Sequence, residues 1–196
     1  VFTNKLDSFP IGLVSLCTVL QEKGISAKIV DFTKLDVNDI IRSEGFSNNY
    51  IDRCAEIICS EGFCLVSFYT MANSYHISIK IAEKVKMIDP NCIVIFAGPQ
   101  ASVCGEDTLR CFSFIDMIAL GEGEATIYNA VVNASKRRFE KCPSAIIRQG
   151  DSIIQTNLLP YIENLDDLPF LDYKFVPYVS QFKAFPIEVG RGCPFH

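Results

Sequence analysis

The middle of the chain reads FCLVSF at residues 63–68, SYHISIKIAEKVKMI at residues 74–88 and CIVIFAG at residues 92–98. The first and last of these segments are nearly continuous apolar runs, as expected for strands that are covered on both faces of a parallel sheet. The segment between them has the apolar spacing of a helix. We therefore predict a strand–helix–strand unit, the building block of parallel α/β folds.

The same alternation of strand and helix extends to both sides of this unit. Further strands are predicted at residues 1–3, 26–32 and 116–120. Further helices are predicted at residues 11–23, 36–42, 49–59, 103–111 and 124–136. The predicted fold class is therefore α/β, with a doubly wound parallel sheet of five strands.

The pattern changes toward the carboxyl end of the chain. Residues 144–148 and 152–155 are short apolar segments on either side of a Gly150-Asp151 turn, which predicts a β-hairpin. Residues 157–180 are rich in proline, aspartate and tyrosine and have no regular period, which predicts an extended linker. The predicted parts are an α/β domain at residues 1–140, the hairpin and linker at 141–182, and the start of a further domain at 183–196.

Composition and charge narrow the class of protein. Hydrophobic residues make up 49% of the 196 residues and charged residues 21%, which is typical of a globular protein, and the net charge is −5. The one basic run, at residues 136–138, is interpreted as a solvated helix end, so nucleic-acid binding is not expected. No apolar run reaches the roughly 18 residues of a membrane span, so no membrane partner is expected.

Nine cysteines invite a disulfide interpretation. Most of them lie within apolar helix or strand patterns, where a free thiol acts as a small buried hydrophobe. The odd number of cysteines and the lack of a secretory signal favour a reducing compartment, so a cytoplasmic location is expected.

Ligands of open parallel sheets bind beyond the carboxyl ends of the strands. In this chain those ends are the loops at residues 4–10, 69–73, 98–102 and 121–123. Small polar side chains and glycines are frequent in them, and they allow a ligand to approach the backbone. The sequence therefore predicts a binding site at this end of the sheet.

Three residues near these loops have side chains that could take part in catalysis or ligand binding, but each is interpreted as having a structural role. Glu124 is interpreted as a helix-start residue, Cys104 as an incidental apolar residue and His76 as a packing or surface residue. The chain has no Gly-x-x-x-x-Gly-Lys-Ser loop, and no Gly-x-Gly-x-x-Gly follows the first strand, which disfavours nucleotide and nicotinamide chemistry. No nucleophile–base pair can be assembled, so no catalytic residue is predicted.

Six features occur in an order that resembles a known family. They are PIGL at residues 10–13, GPQAS at 98–102, GEGE at 121–124, the hairpin, LDDLP at 165–169 and GRGCP at 190–194. Together they resemble the amino-terminal half of cobalamin-dependent radical S-adenosylmethionine enzymes, over essentially the whole chain. The resemblance implies a flavodoxin-like cobalamin-binding domain, then a linker, then a radical S-adenosylmethionine barrel.

The resemblance also implies roles for individual residues. Those implied to cradle the corrin are Ser67, Thr70, Gly98, Gln100, Gly121 and Glu122. Cys193 matches the first cysteine of the Cys-x-x-x-Cys-x-x-Cys motif that opens the barrel, whose three thiolates hold a 4Fe–4S cluster that binds S-adenosylmethionine. The implied partners are a corrinoid and the protein's own barrel. The longer protein is expected to carry out methyl transfer or another radical reaction, and this piece alone is expected to be inert.

One loop departs from a pattern found in other cobalamin domains. Residues 7–12 have the spacing of Asp-x-His-x-x-Gly, but Phe9 stands in place of the axial histidine, so no histidine ligand is expected from this loop. Two alternatives remain open. The same fold could act without cobalamin as a recognition module for a substrate or partner, or the chain could be an unrelated flavodoxin-like binding or receiver domain. The second leaves the hairpin, the linker and residues 190–194 unexplained.

Overall fold

The computed structural model describes residues 9–32, 47–182 and 186–191. Within these ranges the chain forms two compact units. One unit is Val30–Leu159, and the other comprises the described parts of residues 3–29 and 160–196. The predicted boundaries after residues 140 and 182 stay a prediction.

A single five-stranded sheet forms the centre of the first unit, with the strands in chain order across it. The strands are β1 (Leu65–Tyr69), β2 (Ile93–Ala97), β3 (Met117–Ala119), β4 (Ala145–Gln149) and β5 (Ser152–Gln155). The first three are parallel, and β4 and β5 continue the sheet in antiparallel pairing. The predicted α/β class is confirmed. The strands that alternate with helices, β1 to β3, form the parallel part of the sheet.

The membership of the sheet differs from the prediction. Residues 26–32 were expected to form a strand, but the structure shows no strand there. The strand predicted at residues 1–3 and the helix predicted at 36–42 lie outside the described residues. The hairpin was placed after the sheet, yet its first strand pairs with β3, with Ala119 opposite Ala145. An apolar segment forms a strand only where a neighbouring strand hydrogen-bonds with its backbone. The first strand of the hairpin is such a neighbour for β3.

Five helices occur in the described part of the chain, the first in the second unit and the other four in the unit that holds the sheet. They are α1 (Ile11–Glu22), α2 (Asn48–Ser60), α3 (Tyr75–Ile88), α4 (Pro99–Cys111) and α5 (Gly123–Ala134). The Ser47 side chain caps α2 by accepting a hydrogen bond from Tyr50 N at 3.3 Å. Pro99 opens α4, four residues before the predicted start, because proline is well suited to the first turn of a helix. None of these helices is both long and apolar enough to cross a bilayer.

Both faces of β2 and β3 are buried, as the apolar run at residues 92–98 predicted. In β1 only Phe68 is buried, so the same expectation for residues 63–68 was wrong. On one face, Val94 and Phe96 of β2 belong to an apolar cluster that also takes in residues of α2, α3 and α4. Their neighbours Ile93 and Ile95 are equally buried but lie outside this cluster, because side chains alternate between the two faces of a strand. Helix α5, which contacts β3, has buried residues outside the cluster as well. The helices therefore cover two faces of the sheet.

Aromatic and polar contacts organise the second unit. The Phe9 ring meets the rings of Tyr173 and Phe182 edge to face, with centroids 5.3 Å apart in each case. In α1, the hydroxyl oxygen of Thr18 accepts a hydrogen bond from Asp172 N at 3.0 Å. These contacts join α1 to the irregular segment near residue 173.

Gly105 marks a close contact between α4 and the sheet. A Cβ at this position would lie 2.8 Å from Ile146 Cδ1 and 3.0 Å from Ile118 Cγ2. We expect Gly105→Ala to lower the free energy of unfolding by about 1–2 kcal/mol, since these methyl groups can move only partly. Urea denaturation followed by circular dichroism measures the change. Gly12→Ala in α1, where a Cβ would meet nothing within 4 Å, is the control, and we expect it to stabilise by roughly 0.5–1 kcal/mol.

All eight described cysteines are free thiols. Burial raises the pKa of the four buried thiols, to about 11 for Cys17, Cys92 and Cys142 and to about 12 for Cys54, and it also raises that of Cys59. We expect iodoacetamide at pH 8 to alkylate the exposed Cys64 and Cys111 while these four remain unmodified, because the thiolate is the reactive form. Peptide mapping by mass spectrometry reads out each site, and the unfolded chain is the control. Equal labelling of buried and exposed thiols in the folded chain would contradict this packing.

Candidate functional site

The carboxyl ends of β1, β2 and β3 lie at one edge of the sheet, which we call the carboxyl edge. The six predicted binding residues are distributed around it. Thr70, Gly98, Gly121 and Glu122 are in the connections that leave these strands, Gln100 is in the first turn of α4 and Ser67 is within β1. Ser67 is half-buried and pairs with Ile95. It lies two positions before the end of its strand.

Thr70 and Gly98 are in direct contact at this edge. Thr70 is fully buried, and its backbone N–H and its hydroxyl both donate to Ala97 O, at 2.7 and 2.9 Å. Gly98 has a φ of +95°, and a Cβ there would lie 2.7 Å from Thr70 O. Only glycine satisfies both the backbone conformation and the close approach. The connection after β2 is therefore held tightly against the end of β1.

Gln100 joins this contact through its backbone. Gln100 N donates to Thr70 O at 3.3 Å, which attaches the first turn of α4 to the end of β1. The Ser102 hydroxyl donates to Gly98 O at 3.1 Å and closes the same turn. The structure thus brings three of the predicted residues together in one hydrogen-bonded corner.

The connection after β3 forms a more open part of the carboxyl edge. Gly121 has a φ of +61°, and a Cβ at this position would meet no atom within 4 Å. Glu122 is half-buried immediately before α5, and Glu124 in the first turn of that helix is buried. A carboxylate in the first turn of a helix is stabilised by the helix dipole, so the structural interpretation of Glu124 is consistent with its position.

Apolar side chains at this edge were missed by the sequence analysis. Tyr69 and Met71 lie on either side of Thr70, and each is 38% exposed. Val103 in α4 is 85% exposed. The available signal was a tyrosine and a methionine directly after a buried strand, where polar residues were expected. The carboxyl edge therefore offers apolar surface beside its polar backbone groups.

No group of three or more histidine, cysteine, aspartate or glutamate side chains that could hold a metal ion occurs in residues 9–32, 47–182 and 186–191. Cys193, the predicted cluster ligand, lies outside these ranges. His76 is exposed in the first turn of α3, as its surface interpretation expected.

Residues 1–131 match the model of the family described as the B12 binding domain. The chain belongs to the B12-binding domain family. This match, over more than half of the chain, confirms the cobalamin-binding part of the resemblance drawn from the ordered motifs. It also supports cobalamin as the ligand of this domain.

Curated relatives of this B12-binding chain are longer proteins. An uncharacterized methyltransferase of Pyrococcus horikoshii is 26% identical over 193 residues, which cover 95% of this chain and 39% of the relative. An anaerobic magnesium-protoporphyrin IX monomethyl ester cyclase of Synechocystis is 24% identical over 192 residues, covering 94% of this chain and 36% of the relative. The chain thus spans less than two fifths of the length of these relatives.

A solved structure shares the fold of this B12-binding chain. It is the radical S-adenosylmethionine methyltransferase TsrM of Kitasatospora setae with cobalamin and a [4Fe–4S] cluster bound. The TM-score is 0.60 and the sequence identity 16%, and the match covers 82% of this chain and 28% of TsrM. A second TsrM structure, with tryptophan and a S-adenosylmethionine analogue, gives a TM-score of 0.57. At this identity the likeness establishes the shared fold alone.

The residues at the carboxyl edge fit a corrinoid. A corrin has broad apolar faces and a rim of carboxamides, so it needs apolar surface, open backbone and neutral hydrogen-bonding groups. Tyr69 and Met71 supply the first, Gly121 the second and Gln100 the third.

Proposed function

We propose that this chain binds cobalamin at the carboxyl edge of its sheet, as the cobalamin-binding domain of a longer radical S-adenosylmethionine enzyme. The proposal is based on the B12-binding family match, together with the hydrogen-bonded corner formed by Thr70, Gly98 and Gln100. The proposed binding residues are Ser67, Thr70, Gly98, Gln100, Gly121 and Glu122.

These residues and their neighbours have different proposed roles in binding. Gly121 leaves open space beside the backbone in which a large ligand can rest, and Gly98 lets the connection after β2 pack against Thr70. Thr70 holds the Gly98 connection in place through its bonds to Ala97 O, so it acts as a positioning residue. Tyr69 and Met71 exclude water from one side of the site. The cofactor, when bound, supplies a cobalt centre that can carry a methyl group.

The longer protein is proposed to add a barrel with a 4Fe–4S cluster and S-adenosylmethionine. Cys193 is proposed as the first cluster ligand, and the barrel as the partner of this domain. Support comes from the greater length of the relatives and from the names of two of the similar proteins, which are methyltransferases. Methyl transfer or another radical reaction is the proposed activity, and a cytoplasmic location stays a prediction.

Reconstitution with hydroxocobalamin tests the binding proposal. The purified chain is incubated with the corrinoid, desalted and examined by visible spectroscopy. We expect retention of close to one corrinoid per chain at micromolar protein. Glu56→Gln, on the exposed surface of α2, serves as a folded control that retains the same amount. Loss of all corrin colour from both proteins would refute cobalamin binding and favour the recognition-module alternative.

The cluster proposal is tested separately in the longer protein. We expect Cys193→Ala to lose most of its cluster iron and its activity, because three thiolates are needed to hold the cluster. Cys64→Ala, which removes an exposed thiol of the α/β unit, is the matched control and should keep both. Iron content unchanged by Cys193→Ala would rule out the assignment of this ligand.

A further inference from the structure

A series of polar side chains, which we call the polar chain, runs from the start of α3 along α4 to its first turn, and its links meet at the backbone carbonyl and the sulfur of Cys104. The hydroxyls of Tyr75 and Thr108 are in contact, Thr108 Oγ1 donates to Cys104 O at 2.7 Å, and Cys104 Sγ lies 3.5 Å from Gln100 Nε2. Tyr75 is the first residue of α3. The other three follow one face of α4 at intervals of four residues. Cys104 is therefore part of the polar chain through hydrogen bonds that its interpretation as an apolar residue did not include.

This polar chain coincides with a kink in α4. Cys104 has φ −115° and ψ 23°, which are not helical values. Thr108 Oγ1 donates to the carbonyl of Cys104, and Cys104 Sγ donates to the carbonyl of Gln100 at 3.0 Å. Side chains that bond to the carbonyl four residues earlier compete with the helix ladder and bend the helix. The polar chain thus sets the direction of the first turn of α4, which carries Gln100.

The hydroxyl hydrogen of Thr108 can be assigned because each hydroxyl has only one to donate. Thr108 Oγ1 lies 2.7 Å from Cys104 O but 3.7 Å from Cys104 Sγ, so its hydrogen goes to the carbonyl. The hydroxyl of Tyr75 then has two acceptors within reach, Thr108 Oγ1 and the Cys104 side chain. Burial raises the pKa of Tyr75 to about 12, so the phenol keeps its hydrogen at neutral pH.

The same accounting fixes the amide of Gln100. The thiol hydrogen of Cys104 goes to Gln100 O, so the sulfur can only accept from other groups. Gln100 Nε2 donates to it, whereas a flipped amide would place Oε1 against the sulfur lone pairs. Among residues 9–32, 47–182 and 186–191, Oε1 receives no hydrogen bond. The amide oxygen therefore remains available as an acceptor.

We propose that Tyr75 is a positioning residue that, through Thr108 and Cys104, fixes the Gln100 amide so that its oxygen accepts a hydrogen bond from a carboxamide N–H of the corrin rim. This inference rests on the proposed function and specifies its ligand class. A carboxylate has no hydrogen to donate to this oxygen. The site thus selects corrinoids with amidated side chains over those with free acids.

The positioning chain is tested first without any ligand. Tyr75→Phe and Thr108→Val remove one hydroxyl each, and Thr108→Ser keeps it as the matched control. Phenylalanine at position 75 keeps the ring packing on Phe96, where the centroids are 6.0 Å apart. The side-chain NH₂ signals of Gln100, identified by their loss in Gln100→Glu, are followed by NMR. We expect them to shift in the first two variants and to stay unchanged in Thr108→Ser; unchanged signals in all three would overturn the chain.

Ligand selection is tested with dicyanocobinamide, which has amide side chains, and dicyanocobyrinic acid, which has free acids. We expect the unmodified chain to bind the amide form at least roughly tenfold more tightly, which corresponds to one satisfied hydrogen bond plus one avoided repulsion. Tyr75→Phe and Thr108→Val should lose about five- to tenfold in affinity for the amide form, and Thr108→Ser less than about twofold.

The outcomes separate the two proposals. Equal affinity for both probes, or unchanged affinity in Tyr75→Phe and Thr108→Val, would overturn amide selection while cobalamin binding stands. Failure of the unmodified chain to retain any corrinoid would refute the proposed function and amide selection together. The Gln100 signals in the unliganded protein would then still report whether Tyr75 controls the amide.

Discussion

The Gly98→Ala variant is expected to lose retention of hydroxocobalamin and about 2–4 kcal/mol of unfolding free energy. The added Cβ would lie 2.7 Å from Thr70 O and 3.0 Å from Thr70 N. Both are backbone atoms, so neither can rotate away. The φ of +95° adds strain for any residue with a side chain. Relief of these contacts would separate α4 from β1 and break the bond between Gln100 N and Thr70 O.

Two measurements and one control define this prediction. Urea denaturation gives the change in stability, and desalting after reconstitution gives the retained corrinoid. Gly121→Ala is the control for stability, because it has a φ of +61° but open space around the added Cβ, so we expect only about 1–2 kcal/mol of backbone strain. If Gly98→Ala proves no more costly than Gly121→Ala, the close approach to Thr70 does not exist in solution.

Strand β2 was predictable because its apolar composition indicates burial on both faces, whereas β1 has a similar composition and is only partly buried. Four of the five residues of β2 are buried, and a run such as Ile-Val-Ile-Phe is found where both faces of a strand are covered. The position of the hairpin was not predictable in the same way. The pairing of its two strands with each other is local and could be predicted from the short turn between them. The pairing of Ala145 with Ala119 joins segments far apart in the chain. No local pattern specifies which strand will accept the hairpin.

The loops of the candidate site were predictable as turns, but their contacts were not. Gly98 follows a buried strand, so a tight turn could be inferred from the sequence. Its contact with Thr70 depends on the register that places Tyr69 opposite Ala97, which is a property of the folded sheet. The hydrogen bonds of Cys104 were also not predictable, because the sequence of a helix does not show whether a thiol in it packs against apolar groups or forms hydrogen bonds. The four-residue spacing of Gln100, Cys104 and Thr108 was the available signal.

Asp116 is the site of the second large effect, at the opposite end of the strands from the proposed binding site. Its carboxylate lies 2.7 Å from both Lys86 Nζ and Arg137 NH1 and accepts a hydrogen bond from Val94 N at 2.8 Å. The side chains of Asp116 and Lys86 are only 13% and 14% exposed. One carboxylate thus connects the end of α3, the start of β2 and the segment after α5.

We expect Asp116→Ala to lower the free energy of unfolding by about 3–5 kcal/mol, because the Lys86 ammonium would be left largely buried without its partner. Urea denaturation measures the loss. Glu56→Gln breaks an Arg53–Glu56 pair whose side chains are 53% and 59% exposed, so we expect a change of less than about 1 kcal/mol in this control. The double variant Asp116→Ala/Lys86→Met removes the unpaired charge and should be more stable than Asp116→Ala alone. A double variant less stable than the single one would show that lost packing, and not the buried charge, is the cause.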